Sequence, residues 1–582
     1  MDMKAHTTII ALLFCMALHV HAEDSCSYVP MSEIKRNDPW LTSANASALT
    51  RYNSANSAEA ILWLTKAKGG HVDYNGSPDD LTAGASVESF FRLTPRAVVY
   101  GAISYTNFSG HDMTGSAFIN SQPSIATVLE ASASGLLNSH LSRHIPFDIV
   151  EDSLTNPGTK HLDTYRLTGA LGYDLCKGFS LGARLDYTAA NYAKYKDLRH
   201  KNKLMDMNLT AGFLLPLAIT RNTTLSIGAN YLYHRTTESV QFSTYGKNDK
   251  VYNSLIAYAN FMGHVEQFGN SGFTDKSREM PLVSDYNGMS VQFSISPSKN
   301  PLLFLLSHPS PFRFYNSFTY AHRRGYYGRP SPYTITYTGH ESDIYHYDAR
   351  LSFLNGHGSE FSLDLSFNAE NLRNDASNYR ELQNEQGATY YEYYTPVKTA
   401  NKLWVDGTVA LTADLGIYSL PLWTLQAGLN WHHRKQTAYS FPFVRRQRLT
   451  SKEPFVCVCH NIAVTHNSQR SRFFSSGYWT LALHASFLEG SGQPFEDLTY
   501  QTPSEKQEPP ATMDAFLWRE YQWLTAAQYE IGGSVKYSFV PSFATIRTFI
   551  RADISHRKAN NTNDYSQGCD RTTATLSVGC NF

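Results

Sequence analysis

Apolar and polar residues alternate one by one through long stretches of this chain. Leu167, Leu171, Tyr173 and Leu175 fall on one side of a run whose other side holds Arg166, Thr168, Ala170, Gly172 and Asp174. Cys176-Lys177-Gly178 follows, and then Phe179, Leu181, Ala183, Leu185 and Tyr187 alternate with Ser180, Gly182, Arg184 and Asp186. Side chains of a β-strand point to opposite faces in turn, so this spacing predicts a hairpin with one oily and one polar face. The unit recurs at Met205 to Leu215 with Leu225 to Tyr233, and at Tyr347 to Phe353 with Phe361 to Ala369. It returns at Leu403 to Leu415 with Trp423 to Trp431, at Trp479 to Phe487, at Tyr529 to Phe539 and at Ile546 to Ile554. Leu81 to Leu93 with Val99 to Phe108 makes a weaker hairpin, and Met289 to Ile295 with Phe312 to Tyr320 makes another.

The polar faces carry charge every few positions, which a dry core does not tolerate. Arg166, Arg184, Arg350, Arg547 and Arg551, with Asp186, Asp206, Asp348, Asp364 and Asp553, are the candidates to line a wet interior. Short connections (Thr94-Pro95-Arg96, Cys176-Lys177-Gly178, Asn355 to Ser359) alternate with long ones (Ser109 to Thr164, Thr236 to Asn287, Asn371 to Lys402, Arg434 to Ser476, Gly490 to Leu524). Such sidedness is that of a membrane barrel, with short periplasmic turns and long extracellular loops. In hydrocarbon every backbone polar group must be paired, so the sheet must close on itself. The expected fold is therefore all-β, a closed antiparallel transmembrane β-barrel. Parity makes the strand number even, about 16 within a range of about 14–18, one strand being drawn from Met513 to Leu524. Gly172, Gly182, Gly212, Gly228 and Gly428 fall on the inner face, where small residues ease curvature.

Composition sharpens this picture. The 582 residues have a mean hydropathy of −0.35, and beyond the N-terminus no segment is apolar for long enough to cross a membrane as a helix. The 37 Tyr and 32 Phe supply the aromatic belts of a barrel. Lys plus Arg equals Asp plus Glu at 50 each, which gives no reason to expect nucleic acid as a partner. Lys4, the apolar run Thr8 to Val20 and Val20-His21-Ala22 read as a signal peptide cleaved before Glu23. The expected organisation is thus 1–22 signal peptide, 23–68 an N-terminal periplasmic or lumenal segment, and 69–582 the barrel.

The last residues alternate strictly: Ala574, Leu576, Val578, Cys580 and Phe582 oppose Thr573, Thr575, Ser577, Gly579 and Asn581. A closing strand ending on Phe582 resembles the C-terminal signal of bacterial outer-membrane barrels. That resemblance implies recognition of Phe582, Val578 and Leu576 by the barrel assembly machinery, with outer-membrane lipid as the other partner. With Asn37-Asp38-Pro39-Trp40 and Ser43 to Leu49, the chain also resembles a Bacteroidota-type outer-membrane barrel family of unknown function, distantly similar to long-chain fatty-acid transporters. In those transporters an Asn-Pro-Ala segment inserts into the barrel as a hatch. Asn45-Ala46 matches that start without its Pro, and the resemblance implies a hatch role for residues 23–68.

Other chemistry is sparse. Cys457-Val458-Cys459-His460 is the one metal-like cluster, but zinc sites favour a C-x₂₋₄-C spacing and a second ligand pair, and none is evident. A loop disulfide involving Cys569, or free thiols, are the alternatives. His234, His346, His432 and His484 face inward and could serve as bases, yet polar neighbours occur on every strand and single out none. No nucleotide loop, cofactor site or metal site is expected. The sequence points first to a channel or transporter for a small molecule. A non-transporting scaffold that binds partner proteins through its loops is second, and a barrel enzyme third.

Overall fold

Eighteen antiparallel strands form one sheet, each hydrogen-bonded to its neighbours in chain order, and the last pairs with the first. The computed structural model describes residues 31–119, 144–152, 157–176, 178–195, 198–220, 223–244, 257–259, 265–266, 280–297, 312–355, 359–416, 420–464, 474–510, 512, 514–541, 546–560 and 568–582. The expected signal peptide and its cleavage site lie outside these residues. The barrel strands are β1 (Ser57–Lys68), β2 (Asp79–Thr94), β3 (Ala97–Met113), β4 (Gly158–Cys176), β5 (Phe179–Tyr195) and β6 (Leu198–Thr220). They continue as β7 (Thr223–Thr244), β8 (Met280–Pro297), β9 (Phe312–Ser331), β10 (Thr334–Asn355), β11 (Ser359–Gln383) and β12 (Thr389–Leu415). The last six are β13 (Trp423–Ser440), β14 (Phe443–Val464), β15 (Phe474–Thr499), β16 (Gln528–Pro541), β17 (Arg547–Ala559) and β18 (Asp570–Asn581). No helix among the described residues is long and apolar enough to cross a membrane.

Closure is complete at the seam. Glu59 to Lys68 of β1 pair with Asn581 to Thr572 of β18, and the backbones of Ala58 and Phe582 exchange two hydrogen bonds of 2.8 and 3.0 Å. No sheet edge is left for lipid to face. Leu167, Leu171, Leu185, Leu209, Leu363 and Leu365 point outward and are exposed, whereas Arg166, Thr168, Arg184, Thr210 and His346 are buried on the inner side. The outward apolar ladder of β4 runs from Tyr165 to Leu175. Those residues span about 33 Å along the strand, which at a tilt of about 40° matches the apolar height of about 25 Å. Aromatic pairs bound the band at both ends: Tyr105 with Tyr165 and Tyr320 with Tyr345 above, Phe312 with Phe353 and Trp479 with Tyr537 below. The upper tyrosines donate to outward carboxylates, Tyr105 to Asp163 and Tyr320 to Asp343 at 2.8 Å each, as expected where oil meets water.

Three expectations need correction. The barrel begins at Ser57, twelve residues before the expected boundary at 69, because Ser57–Lys68 is itself a wall strand. Residues 434–476 are not one long loop: β14 crosses there. Asp514–Thr525, expected to contribute a strand, is a helix, α3, whose buried Phe516, Leu517, Arg519, Gln522 and Thr525 recur at helical spacing. β1 and β14 are gained and the strand drawn from 513–524 is lost, and the wall has eighteen strands where about sixteen were expected. Several expected loops are also two-stranded ribbons that prolong the wall outward. Gln383 and Thr389 still pair at the tip of β11 and β12.

Candidate functional site

The wall glycines form a seat. Residues 31–52 enter the barrel and cross the mouth at its short-turn end as two short helices, α1 (Met31–Asn37) and α2 (Pro39–Thr42), and a 3₁₀ turn, Ala46–Arg51. Asp38 caps α2 by accepting from the Trp40 N–H at 3.1 Å, with Pro39 as the first helical residue. Asn45 caps the 3₁₀ turn in the same way and donates to the Phe213 carbonyl at 2.9 Å and to Gln292 at 3.1 Å. A Cβ on Gly182 would overlap the backbone of Ala46 and Ser47, and one on Gly172 would sit 2.8 Å from the Ala46 carbonyl. Gly212 and Gly228 approach Asn45 and Trp40 as closely. These glycines admit the insert's backbone; curvature is the lesser reason for them.

The insert has its own apolar core and its own ionic ties. Met31, Ile34, Leu41, Leu49 and Tyr52 pack on Phe90, Val98 and Tyr100 of the wall. Trp40 lies edge-on to Tyr315 and donates its indole N–H to Ser294 at 2.7 Å. Lys35 is buried against Glu88, Arg36 reaches Asp414 at 3.1 Å, and Arg51 pairs with Asp38 at 3.0 Å. Burial pulls the Lys35 ammonium below its ordinary range, and the Glu88 carboxylate opposes that. Burial likewise raises the Glu33 carboxyl, against the pull of Arg36.

Above the insert lies a chamber of about 1120 Å³. Arg166, Arg184, Asp186, Asp348, Arg350, Asp364, Arg551 and Asp553 border it, joined across the wall by small hydroxyl residues. Six of the expected lumenal charges are paired with one another. Arg184 holds Asp186 at 2.8 Å, Arg350 holds Asp364 at 2.5 Å and Arg551 holds Asp553 at 2.7 Å. Asp348 pairs with His346 at 2.5 Å and Asp206 with His234 at 2.7 Å. Arg547 stands over the Tyr478 ring at 5.4 Å, away from the chamber. His432 pairs with Asp406 at 2.5 Å, and His484 lies 3.7 Å from Glu530. The four histidines sit on β7, β10, β13 and β15, each with its own carboxylate. Cys457 and Cys459 share register with inward Gln426 and Thr424, whereas His460 stacks outward on Trp423 at 3.9 Å, so the cysteine–histidine run is split between two faces. Cys569 lies at the long-loop end of the barrel, beyond reach of Cys457 and Cys459 at the short-turn end, and all three are free. No group of three or more candidate metal ligands occurs among the described residues.

A cap that sequence reasoning missed covers the long-loop end of the barrel. Residues 115–116, 148–152, 257–259 and 265–266 form a four-stranded sheet. Phe118, Phe147 and Ile149 build a core with Val240, Leu282 and Tyr327 of the wall. Wall side chains hold the cap's backbone: Asn202 donates to the Ala117 carbonyl at 2.8 Å, Arg323 to His144 at 2.6 Å and Lys402 to Ile145 at 3.2 Å. α3 and residues 69–78 complete the roof, through Tyr74 against Phe516 and the Arg434–Glu520 pair at 2.8 Å. Burial, with the nearby Glu520 charge, pushes the Asp73 carboxyl up to about 7 against the pull of Arg434 and Arg519. Burial pushes Asp148 up to about 6, although Ser116 and Tyr74 donate to it. Both carboxyls bind protons more tightly in the folded cap than in an open chain. These two carboxyls therefore favour the folded cap in acid and lose that contribution as pH rises through these values, whereas the His71 imidazole, held below its ordinary range by burial, contributes the opposite slope to residues 69–78. Amide exchange of residues 144–150, corrected for intrinsic rates, should be slower at pH 5 than at pH 8. Asp148→Asn should flatten that difference.

Residues 154–582 match DUF6850, a family of unknown function. No curated protein matches the sequence. Among solved structures, the chain is similar to BauA, the ferric preacinetobactin receptor of Acinetobacter baumannii, at 9% identity over 91% of this chain and 80% of that one, with a TM-score of 0.39. It is similar to the unliganded ferric citrate transporter FecA at 9% identity over 90% and 78%, with a TM-score of 0.34. The ferripyoverdine receptor of the Pseudomonas aeruginosa outer membrane matches at 9% over 91% and 72%, with a TM-score of 0.33.

Proposed function

From the premise that this chain belongs to the DUF6850 family of unknown function, we propose that it is a gated outer-membrane barrel that binds and passes a small polar solute. The observation that carries this reading is the chamber, bounded below by an insert seated on bare backbone and above by Val72, Asp73, Gly76, Ser77 and Trp523 of the roof. A barrel kept only for its surface has no need of a wet interior of that size. The insert plays the hatch. Its place in the barrel accords with the likeness of Asn45-Ala46 to the hatch of fatty-acid-type transporters. The hydroxyls and paired charges of the chamber offer hydrogen-bond partners to a polar solute. Planar bilayers test the reading: the full chain should show rare, solute-dependent current steps, and removal of residues 31–52 should make them frequent. Silence of both proteins would overturn it.

One observation favours a second reading, a scaffold that docks partners. β11 and β12 project a ribbon on which Tyr379 meets Tyr391 and Tyr393, and Tyr393 bonds the neighbouring β9–β10 turn through the Thr334 carbonyl at 3.1 Å. Bilayer silence together with a stable partner held by this ribbon would favour it.

Assembly follows from the seam. Deleting Phe582 removes two backbone bonds that join the chain's ends, and with them the terminal aromatic that the assembly machinery would read. Pulse-chase insertion should slow, with Asn581 left as the last seam residue. Unchanged kinetics would remove Phe582, Val578 and Leu576 from the assembly signal.

A further inference from the structure

The seam carries an inner surface that no other part of the wall repeats among the described residues bordering the chamber. Trp63 of β1 faces inward, register-matched to Gly84 on β2 and to Ser577 on β18. Its indole lies over Gly84 and fills the space where a Cβ would stand. Thr65, Thr82, Thr575 and Ser577 surround it, and the Thr65 and Thr575 hydroxyls are 2.9 Å apart. On the next strand Arg551 and Asp553 form a pair at 2.7 Å that remains accessible, at 49% and 29% of side-chain surface. All of these groups border the chamber.

The indole is half-buried and, with Ile61 on the same face of β1, makes an apolar platform flanked by polar groups. Hydroxyls beside it both donate and accept, Arg551 donates only and Asp553 accepts only. The chamber lining as a whole holds seven basic side chains and eight carboxylates, so it presents almost no net field to a charged solute. A multiply charged ligand would also have to break existing ion pairs to be matched. The solute that fits has an apolar face for the ring, a rim of hydroxyls and no charge.

We propose that the seam is a binding site for a neutral polyhydroxylated ring, a sugar unit, with Trp63 as its stacking platform and the Arg551–Asp553 pair reading its hydroxyls. This rests on the chamber being a solute compartment. The ring that stacks on the solute's apolar face carries a share of its binding, so loss of the ring should weaken binding by about tenfold.

The test is calorimetric titration of the full chain in detergent with maltotriose, and in parallel with citrate and spermidine. It is run on the wild type and on Gly182→Leu, whose insert should leave its seat and open the chamber. Maltotriose should bind saturably to at least one of the two, and citrate and spermidine to neither. Trp63→Ala in the same background should lose about tenfold and Asp553→Asn a comparable factor, while Trp63→Phe should retain most of the affinity. Assembly of each variant is checked by its heat-modifiable migration. If Trp63→Ala does not assemble, the Phe and Asn variants decide. Equal affinity in all variants, tighter binding of citrate or spermidine, or no maltotriose binding to either background overturns the site. Proteoliposome swelling is measured separately. Passage of solutes without maltotriose binding sinks the sugar site and leaves the transport reading standing. Binding without any passage does the reverse.

Discussion

Leucine in place of Gly182 should drive the insert off its seat. Its Cβ would occupy the space of the Ala46–Ser47 backbone, which has no rotamer by which to withdraw. Overpacking a well-filled site costs about 1–3 kcal/mol, and against backbone the upper figure applies; 3 kcal/mol shifts the seated-to-unseated ratio by about a hundredfold. Residues 31–52 should become cleavable by protease presented from the periplasmic side, and current steps in bilayers should become frequent. The barrel itself should persist, because Gly182 keeps its ladder position opposite Gly172 and Gly212. Protease resistance equal to wild type would mean that the insert does not depend on this seat. Gly169, whose Cβ would meet nothing within 4 Å, is the control: Gly169→Ala should change neither readout.

Leu365→Arg should prevent or cripple assembly. Leu365 points outward between Leu363 and Phe367, in the middle of the apolar ladder of β11. An arginine at the bilayer midplane costs about 2–4 kcal/mol on the lipid face of a barrel. Its neighbour Asp364 points the other way and is held by Arg350, so Asp364→Asn exchanges an ion pair for a hydrogen bond from the charged guanidinium to an amide oxygen inside a wet lumen. The folded fraction at the outer membrane should fall sharply for Leu365→Arg and little for Asp364→Asn. Similar yields would mean that the facing is wrong.

The barrel was legible because lipid outside and water inside impose a period of two, which survives wherever one face is oily and the other is not. It failed to show where that contrast is blurred. In β1 both faces are apolar for a stretch, Leu62 and Leu64 outward and Ile61 and Trp63 inward, so the run reads as a simple apolar segment. In β14 the outer half carries Arg445, Arg446 and Arg448 and only the part from Phe455 onward crosses the apolar band, so charge density hid the strand. α3 was mistaken for a strand because a 12-residue segment with scattered aromatics satisfies either period loosely. The inner charges could be named from alternation alone. Their pairing could not, because Arg350 with Asp364 is a cross-strand relation set by register. The glycine seat was visible as glycines on one face. Its purpose lay in a segment more than 100 residues earlier, and the cap's core joins residues from Ala117 to Tyr327 that no local pattern links.

The central claim is that one face of each strand meets lipid and the other an enclosed, hydrated space. The most direct measurement is a spin-label scan of Phe361 to Ala369 in bilayers, comparing collision with oxygen, which concentrates in lipid, and with a water-soluble nickel chelate. Labels at 361, 363, 365 and 367 should be open to oxygen and closed to the chelate, and labels at 362, 364, 366 and 368 should show low oxygen collision. Accessibility that fails to alternate, or alternates in the opposite phase, would contradict the account.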